Sequence, residues 1–504
     1  MCRLKRHQNK TAAITEQAAL LRFAEKGGLF LKKWIAALIA ALMLVSSLAG
    51  CKPQPEEPSS GPQSDASETE EEKTFRAAVS NAYLYALPLM LTDTLREYMT
   101  NTEKVTVDKA PYNTFCHRKR PLTGPTKGLI RPNADALQSQ AVLDLTAEPD
   151  VLVIPDGKFF TLSFYDSWGE RILTLDRPGT YILRGPDCEG SYAYRQAKEI
   201  VLPDNRIICI VQIVCDSNLP PDLDRAREWQ EQMKLFPFSV SPDDPPKGFY
   251  DPEKRFDPKR AVLQMSVTAY FRRYNELAAL VGDRNIPLQL KDQMADLGIG
   301  AGLQFNPASF PLTDRLFLET LPLSVFDELA AWETENQHEK IGWWVERRPK
   351  NNDDIRRRAL DILHRCYPAD PKQMMTAVAW TDNAGNSLKK GEYELTVSAK
   401  DIPRGTIWSI GIYTRNGRPV YSDGRCSYLS TCLKPDESGT YRLLISETKR
   451  GDGIFTVTED EFTVFFRVYG YAGSPHELTY PMIFKELPLP VPTADSENLA
   501  AARR

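Results

Sequence analysis

The sequence has few of the residues and motifs from which metal and hydrolytic sites are usually built. It contains 5 histidines in 504 residues, and they are scattered along the chain. No His-Glu-x-x-His, Gly-x-Ser-x-Gly or phosphate-binding loop motif occurs. These absences exclude the signatures of zincin proteases, α/β-hydrolases and P-loop nucleotide-binding proteins. We therefore expect no metal site and no cofactor.

Cysteine is too sparse and too irregularly spaced for a disulfide framework. Removal of a leader that contains Cys2 and lipidation of Cys51 would leave seven of the 9 cysteines, an odd number. Cys426 and Cys432 are near enough in sequence to pair across a turn. Most of the seven are expected instead to be small, buried, apolar side chains.

Basic residues do not outnumber acidic ones beyond the first fifty positions. Residues 1–50 contain 8 Lys and Arg against 2 Asp and Glu, so the remainder has 55 basic and 65 acidic residues. A mildly acidic body argues against nucleic acid as a partner. A chain of this length with 42% hydrophobic residues can bury more than one core, so we expect two or three domains.

No apolar run is long enough for a stable membrane span, but one has the features of an export signal. Residues 35–45 are apolar, follow Lys32-Lys33 and precede Leu48-Ala49-Gly50-Cys51. We interpret residues 1–50 as a signal peptide region, with the true start near residue 31. Leu-Ala-Gly-Cys resembles a bacterial lipobox, which implies lipid attachment at Cys51. The alternative is a plain secretory signal with a chance cysteine.

The segment after Cys51 and the C-terminus are both unsuited to folding alone. Residues 51–73 are rich in Pro, Ser and Glu and have no aromatic residue. We interpret them as a lipidated, disordered tether, and residues 491–504 as a flexible tail. The chain is then an extracytoplasmic protein anchored to the bacterial cell membrane or outer membrane.

Alternating apolar residues predict an N-terminal β domain at 74–220 with a leading helix. The helix is expected from Phe75 to about Thr100, with an interruption at Pro88. The segment Phe160 to Tyr165 alternates apolar and polar side chains, which is typical of a half-buried strand. Strands are predicted at 136–145, 150–154, 159–166, 171–175, 179–184 and 207–214.

The rest of the chain changes first to a helical period and then back to strands. Residues 221–370 are predicted to be helical, with Val267, Phe271, Tyr274 and Ala278 on one face. Residues 371–490 are predicted to be a second β domain, with strands at 377–382, 392–398, 406–413, 418–422, 440–446 and 462–470. The expected fold is mainly β with a helical insert (α+β), in which two β-sandwich domains, Ig-like or jelly-roll-like, flank the helical segment.

The two β segments resemble one another. Residues 160–169 match 408–417 in length and character, and Gly179-Thr-Tyr181 recurs as Gly439-Thr-Tyr441. An ancient duplication explains the match, and so does convergence of two hairpins that obey the same turn chemistry.

One polar cluster stands out as a candidate site. His117 follows Asn113 in a predicted loop, and Arg131, Asn133 and Asp135 come just before a strand. In a catalytic interpretation, Asp135 orients His117 as a general base. In a structural interpretation, Arg131 pairs with Asp135 and Asn133 caps a turn. Trp168, Trp408 and Tyr413 are further ligand-binding candidates, although each ring taken singly is expected in a core.

At these residues the chain resembles a bacterial family that pairs domain of unknown function 1254 with domain of unknown function 1214. The first is similar at Tyr83 to Pro88, Asn113 to His117 and Arg131 to Ser139, and the second at Trp380 to Gly385, Gly391 to Tyr393 and Ile407 to Tyr413. The resemblance implies two β-sandwich domains around a helical insert. Where the family has a second Arg, a Thr and a Tyr, this chain has Ala134, Ala136 and Gln138, so any chemistry of those side chains is absent here.

The sequence favours a binding or interaction module at the bacterial cell envelope. The alternative is an envelope hydrolase that uses His117 and Asp135, so the sequence leaves open whether the chain is an enzyme. The expected partners are the membrane, through a lipid on Cys51, and a small polar ligand or envelope component. A homo-oligomer is also compatible with the sequence.

Overall fold

The structure is a computed structural model that describes residues 68–121, 133–216, 219–244, 246–336, 339–340, 342–345, 354–365, 367, 369–415, 417–421, 425–471, 473 and 477–485. The described residues from Glu71 onward form one compact unit. The predictions for the leader, for Cys51, for Arg131 and for the C-terminal tail lie outside the described residues, as do residues 52–67 of the predicted tether. Residues 70–73, which the tether prediction includes, lie in the helix Glu70–Thr100.

The described chain contains seven α-helices and two sets of β-strands, an N-terminal set and a C-terminal set. The helices are α1 (Glu70–Thr100), α2 (Pro220–Gln232), α3 (Pro258–Leu263), α4 (Val267–Val281), α5 (Leu288–Asp296), α6 (Leu312–Asn336) and α7 (Ile355–Leu360). The first set of strands is β1 (Cys116–His117), β2 (Ala136–Asp144), β3 (Asp150–Ile154), β4 (Phe160–Tyr165), β5 (Arg171–Leu175), β6 (Gly179–Arg184), β7 (Lys198–Val201), β8 (Arg206–Val214) and β9 (Lys234–Pro237). The second set is β10 (Glu339–Lys340), β11 (Trp343–Val345), β12 (Met374–Ala379), β13 (Tyr393–Ser398), β14 (Ile407–Thr414), β15 (Ser427–Leu429), β16 (Thr440–Ser446), β17 (Ile454–Thr456), β18 (Phe462–Tyr469) and β19 (Met482–Lys485).

The N-terminal β region is built from two sheets that share one apolar core. The larger sheet has the order β1-β2-β8-β4-β5 and the smaller has the order β7-β6-β3-β9. Side chains from both, such as Leu162 and Val211 in the larger and Leu152 and Leu183 in the smaller, pack in the same cluster. All six strands predicted for this region are present. The region also includes β9, which pairs with β3 and thus extends these sheets to Pro237.

The C-terminal β region repeats this construction with its own core. Its sheets have the orders β10-β11-β12-β18-β14-β15 and β17-β16-β13-β19. The strand predicted at 418–422 is wrong for its described part, where only an isolated bridge from Pro419 to Tyr413 forms. Proline has no N–H group to donate, so it cannot continue a regular ladder. A mainly β fold with helical parts is therefore confirmed.

Both β regions have the same strand order. The sequence β2-β8-β4-β5 corresponds to β12-β18-β14-β15, and β7-β6-β3-β9 corresponds to β17-β16-β13-β19. Each smaller sheet contains a parallel pair at the same place, β6 with β7 and β16 with β17. The predicted match between residues 160–165 and 408–413 falls on the equivalent strands β4 and β14. Agreement over eight strands favours duplication over the convergence of two hairpins.

The helices form a third core against the outer face of the first larger sheet. Helix α1 packs there with α4, α6 and α7, and the cluster includes Ile208 and Ile210 of β8. The four residues predicted to share a face of α4 are all buried. Asp354 caps α7 by accepting hydrogen bonds from the N–H groups of Arg356 and Arg357. Among the described helices, none is both long enough and apolar enough to cross a bilayer.

Helix α1 continues through Pro88, whereas the sequence predicts an interruption there. Proline removes one backbone hydrogen bond from a helix interior. The helix is buried on every side over this section, from Ala78 to Leu95. Tertiary packing of so much apolar surface supplies most of the stability of such a helix, so the one missing bond does not end it.

The turn between β4 and β5 is held against α1 at Gly169. Gly169 has a φ of 73°. A Cβ atom at this position would lie 2.8 Å from Thr92 Oγ1 and 2.9 Å from Ile362 Cδ1. The turn and the helix therefore approach more closely than any residue with a side chain allows.

Gly169→Ala is expected to lower the free energy of unfolding by about 2 kcal/mol, because the left-handed backbone and the overpacking both cost energy. Gly385→Ala is the matched control, since Gly385 has a φ of 81° but nothing within 4 Å of the added Cβ. Urea denaturation of both variants measures the difference. An equal loss in the two would show that the contact with α1 adds nothing.

Candidate functional site

Asp135 lies just before β2 and is fully buried where the two β regions meet. Its Oδ2 atom accepts hydrogen bonds from Ser409 Oγ at 2.5 Å, from Tyr469 OH at 3.0 Å and from Arg467 Nη1 at 3.2 Å. Arg467 is also almost completely buried, with 2% of its side chain exposed. All three donors belong to β14 and β18, so the carboxylate joins the N-terminal region to the C-terminal one.

Two further side chains complete this buried cluster. Tyr413 OH accepts hydrogen bonds from Arg467 Nη1 at 2.9 Å and from the N–H of Ala134 at 3.2 Å. Asn133 Oδ1 accepts from the N–H of Asp135 at 3.0 Å, and its Nδ2 donates to Gln212 Oε1 at 2.8 Å. Asn133 thus makes the local turn contact that the structural interpretation expects.

Arg467, Tyr413 and Tyr469 keep their protons at neutral pH. Burial alone lowers the pKa of Arg467, but Tyr413, Asp135 and Tyr469 raise it above its ordinary value. Burial raises the pKa of Tyr413, and it raises that of Tyr469 strongly. Arg467 therefore stays charged and both tyrosines stay protonated at neutral pH. The arrangement can hold two β regions together, and neither the guanidinium nor the two phenols is poised to exchange a proton with a substrate.

His117 lies in a different environment from Asp135. Its Nδ1 is 2.8 Å from Ser139 Oγ, and Ser139 Oγ also accepts a hydrogen bond from Gln230 Nε2 at 3.0 Å. Ser139 is the residue opposite His117 in the β1–β2 pair and is four residues along the chain from Asp135. This corresponds to about 13 Å of extended strand. The structure does not bring His117 and Asp135 together.

The imidazole of His117 is also a poor base at neutral pH. Burial, followed by the nearby charges of Lys119 and Lys234, lowers its pKa to about 4. A neutral imidazole with so low a pKa has little affinity for a proton from a substrate. The geometry therefore gives no support to a hydrolase that uses the pair.

The other candidate residues from the sequence are placed in structural roles. Asn113, at a φ of 61°, accepts from the N–H of Asp144 at 2.6 Å and donates to its carbonyl at 3.1 Å. Trp168 packs in the helical core and donates to the carbonyl of Gly282 at 3.2 Å. Trp408 is buried in the core of the C-terminal sheets. These two tryptophans belong to separate cores and do not line a common platform.

The described cysteines are free thiols. Cys426 is buried, while Cys432 is exposed and donates to Asp216 Oδ2 at 2.7 Å. Pairing of Cys426 with Cys432 across the turn is therefore not present. In the part of the chain that the structure describes, no group of three or more His, Cys, Asp or Glu side chains is arranged to hold a metal ion.

A cleft opens between α1, α4 and the larger N-terminal sheet. The space between its walls is about 310 Å³, open solvent included. Its walls combine apolar and polar side chains, namely Leu89, Thr92, Asp93, Arg96, Ser167, Arg206, Ile208, Leu277 and Val281. Ser167 comes from the turn that Gly169 holds against α1. An apolar cleft with a few convergent polar groups is the usual form of a small-molecule site.

Some of the described charged side chains around this cleft form ion pairs, and one does not. Asp93 forms ion pairs with Arg96 and with Arg273, and Arg273 also pairs with Glu97 at 3.0 Å. Arg206 is the first residue of β8, and its backbone N–H donates to Asp204 Oδ1 at 3.0 Å. Among the described residues, none forms a hydrogen bond or an ion pair with the guanidinium of Arg206. The cleft therefore offers one available cation beside an apolar wall.

Sequence reasoning did not find Arg467 or Arg206. Arg467 had a signal, since it is the one charged residue in the apolar strand Phe462–Tyr469, where a buried partner is required. Arg206 had none, because an arginine at the start of a strand is most often simply solvated.

Comparison with known proteins agrees with this architecture. The family profile described as Protein of unknown function (DUF1254) matches residues 112–237, and Protein of unknown function (DUF1214) matches residues 373–472. The two domains that the sequence resembles are thus found in the expected order. A search of curated proteins gave no match.

The solved structures that are similar to this chain include two of uncharacterised bacterial proteins. The VPA0106 protein from Vibrio parahaemolyticus has a TM-score of 0.57 at 18% identity, over 82% of this chain and 100% of that one. An uncharacterized protein from Burkholderia cenocepacia has a TM-score of 0.40 at 12% identity, over 82% of this chain and 95% of that one. The first likeness shows a shared fold and nothing about function.

Proposed function

We propose that this chain is a lipid-anchored protein of the bacterial cell envelope that binds a small amphipathic anion in the cleft between α1, α4 and the larger N-terminal sheet. Anchoring is supported by the signal-like residues 31–50 and by the lipobox-like Leu48-Ala49-Gly50-Cys51. We also propose that each pair of sheets is a β-sandwich of the jelly-roll or Ig-like type, since the two sheets of each pair share one apolar core.

The observation that carries the binding proposal is the available guanidinium of Arg206 beside an apolar surface. Ile208, Leu277 and Val281 provide that surface, and Ser167 adds a hydroxyl. Arginine binds carboxylate and phosphate groups through two parallel hydrogen bonds, while the leucine and valine side chains bury the apolar body of a ligand. A small carboxylic acid with a hydrocarbon or aromatic body has both features.

The cleft favours binding over catalysis. Its acid, Asp93, is neutralised by two arginines, and none of the groups lining the cleft is a histidine or a cysteine. A nucleophile with an adjacent base, as covalent catalysis requires, is not found among these residues.

Arg206→Gln is expected to weaken the binding of benzoate and hexanoate, used as probe anions, by about tenfold or more, because a hydrogen bond to a charged group contributes about 1.5–3 kcal/mol. Isothermal titration of the full chain measures the dissociation constants. The matched control is Arg177→Gln, since Arg177 is an exposed arginine of the same β region with 86% of its side chain in solvent. Equal affinities in the wild type and Arg206→Gln, or no binding of either probe to the wild type, would contradict the proposal.

A further inference from the structure

Helix α6 has a stripe of exposed leucines that its own fold does not use. Leu312, Leu316 and Leu323 are 63%, 55% and 70% exposed, and their spacings of four and seven residues place them in one row along the helix. The opposite face is buried in the helical core through Leu318, Leu321, Val325 and Leu329. We call the three exposed side chains the leucine stripe. Three leucines in one exposed row form an apolar strip on the surface, which is the kind of feature that marks an interaction site.

The leucine stripe begins beside the point where the chain enters the compact unit. The ring of Phe75, in the second turn of α1, contacts that of Phe310 with centroids 5.2 Å apart. The guanidinium of Arg76 lies 5.0 Å from the ring centroid of Phe317. Phe310 and Phe317 flank the first turns of α6, where Leu312 and Leu316 lie. The start of α1, which the segment from Cys51 joins, is thus adjacent to the stripe.

We propose that the leucine stripe lies against the lipid bilayer to which Cys51 is attached. This inference rests on the lipid anchoring proposed above. The twenty residues from Cys51 to Glu70, taken as a flexible coil, span about 25 Å on average. The acyl chains on Cys51 therefore keep the first turns of α1 and α6 near the headgroups at a high effective concentration. Under those conditions three leucine side chains are enough to orient the unit, since the anchor already holds it at the surface and burial of each apolar side chain adds to membrane binding.

The charges around the stripe are compatible with an interfacial position. Arg315 is exposed on α6 between Leu312 and Leu316, where its guanidinium can reach lipid phosphates. Glu319 is exposed within the row and limits how deeply it inserts. The stripe therefore rests at the level of the headgroups and the first methylenes, and the helix does not enter the hydrocarbon core.

The test uses the full chain, purified with its native lipid and reconstituted in vesicles of phosphatidylethanolamine and phosphatidylglycerol. Cys432→Ser removes the exposed thiol among the described cysteines, and Leu316→Cys introduces a site for an environment-sensitive fluorophore. Val201→Cys is the matched control, because Val201 is 54% exposed on β7, in the N-terminal sheets. Brominated lipids are expected to quench the probe at 316 at least twofold more than at 201, and the added change Leu323→Glu is expected to reduce that difference.

Three outcomes would overturn the proposal or its premise. Equal quenching at 316 and 201 in acylated protein would contradict the proposal that the leucine stripe contacts the membrane, while the proposed lipid anchor would remain supported. A measured intact mass without acyl chains would contradict the proposed lipid anchor. In that case the membrane contact of the leucine stripe is supported only if the unacylated protein still floats with the vesicles and its probe at 316 is quenched, and it is contradicted otherwise. A lipid-free dimer of Cys51→Ser protein that Leu316→Glu converts to a monomer assigns the stripe to a second copy of this chain.

Discussion

Arg467→Met is expected to lower the free energy of unfolding by about 3–5 kcal/mol, because it leaves a fully buried carboxylate without its cation. Asp135 Oδ2 accepts hydrogen bonds from Arg467, Tyr469 and Ser409, and its Oδ1 has no partner among the described residues. Loss of the guanidinium also removes a hydrogen bond to Tyr413 OH. Urea denaturation at pH 7 measures the effect.

Two further variants separate the ion pair from ordinary packing. Arg442→Met is the matched control, since Arg442 also bonds two acids, Glu394 and Asp436, but is 53% exposed on its side chain. Little change is expected there, because exposed pairs contribute little. The double variant Asp135→Asn with Arg467→Met is expected to recover part of the loss, because it removes the unpaired charge. If the double variant is as unstable as the sum of the two single ones, the pair is not coupled and this account is wrong.

The wild-type protein is expected to lose about 3 kcal/mol of stability on acidification through His117 alone. Its folded pKa of about 4 lies below the ordinary value of 6.5. The unfolded chain therefore binds more protons than the folded chain between these values. The contribution is fully present above pH 6.5, and it is lost as the pH falls to 4.

His117→Asn is expected to flatten the pH dependence of the unfolding free energy over this window. Asparagine keeps a polar partner for Ser139 but does not titrate. Urea denaturation of both proteins at pH 7, 5.5 and 4 gives the slopes, and their difference removes the contribution of carboxylates common to both. A His117→Asn slope equal to that of the wild type would mean that the imidazole is accessible to protons in the folded state, contrary to its observed burial.

Local patterns were sufficient to predict most of the strands and helices. The alternation in Phe160–Tyr165 and the helical period of Val267, Phe271, Tyr274 and Ala278 are short-range features that follow from how side chains leave the backbone. The repeat was also visible as a match between two strands. The sequence match alone could not distinguish duplication from convergence, because one hairpin resembles another for reasons of turn chemistry alone. The strand order of the sheets was needed for that.

Contacts between distant parts of the chain could not be predicted in this way. Asp135 was identified as a candidate, but its partner Arg467 is 332 residues away and nothing local relates the two. His117 and Asp135 were grouped because they are near in sequence, yet β1 pairs with β2 in a register that separates them. The cleft could not be predicted for the same reason. Its walls come from α1, α4, β8 and one turn, which only the tertiary fold brings together.

The two β regions repeat one strand order, as the subunits of a dimer would, but they need not be identical. Gln212 and Arg467 hold equivalent positions, each opposite the third residue of the neighbouring strand, Gln138 in β2 and Thr376 in β12. In a dimer of two identical copies, the contact face must be complementary to itself, so a charge on one copy is repeated on the other. A chain that contains both copies is free of that constraint. Here the C-terminal copy has an arginine that donates to Asp135, whereas the N-terminal copy has a glutamine that accepts from Asn133 of its own region, so the contact between the two copies is asymmetric.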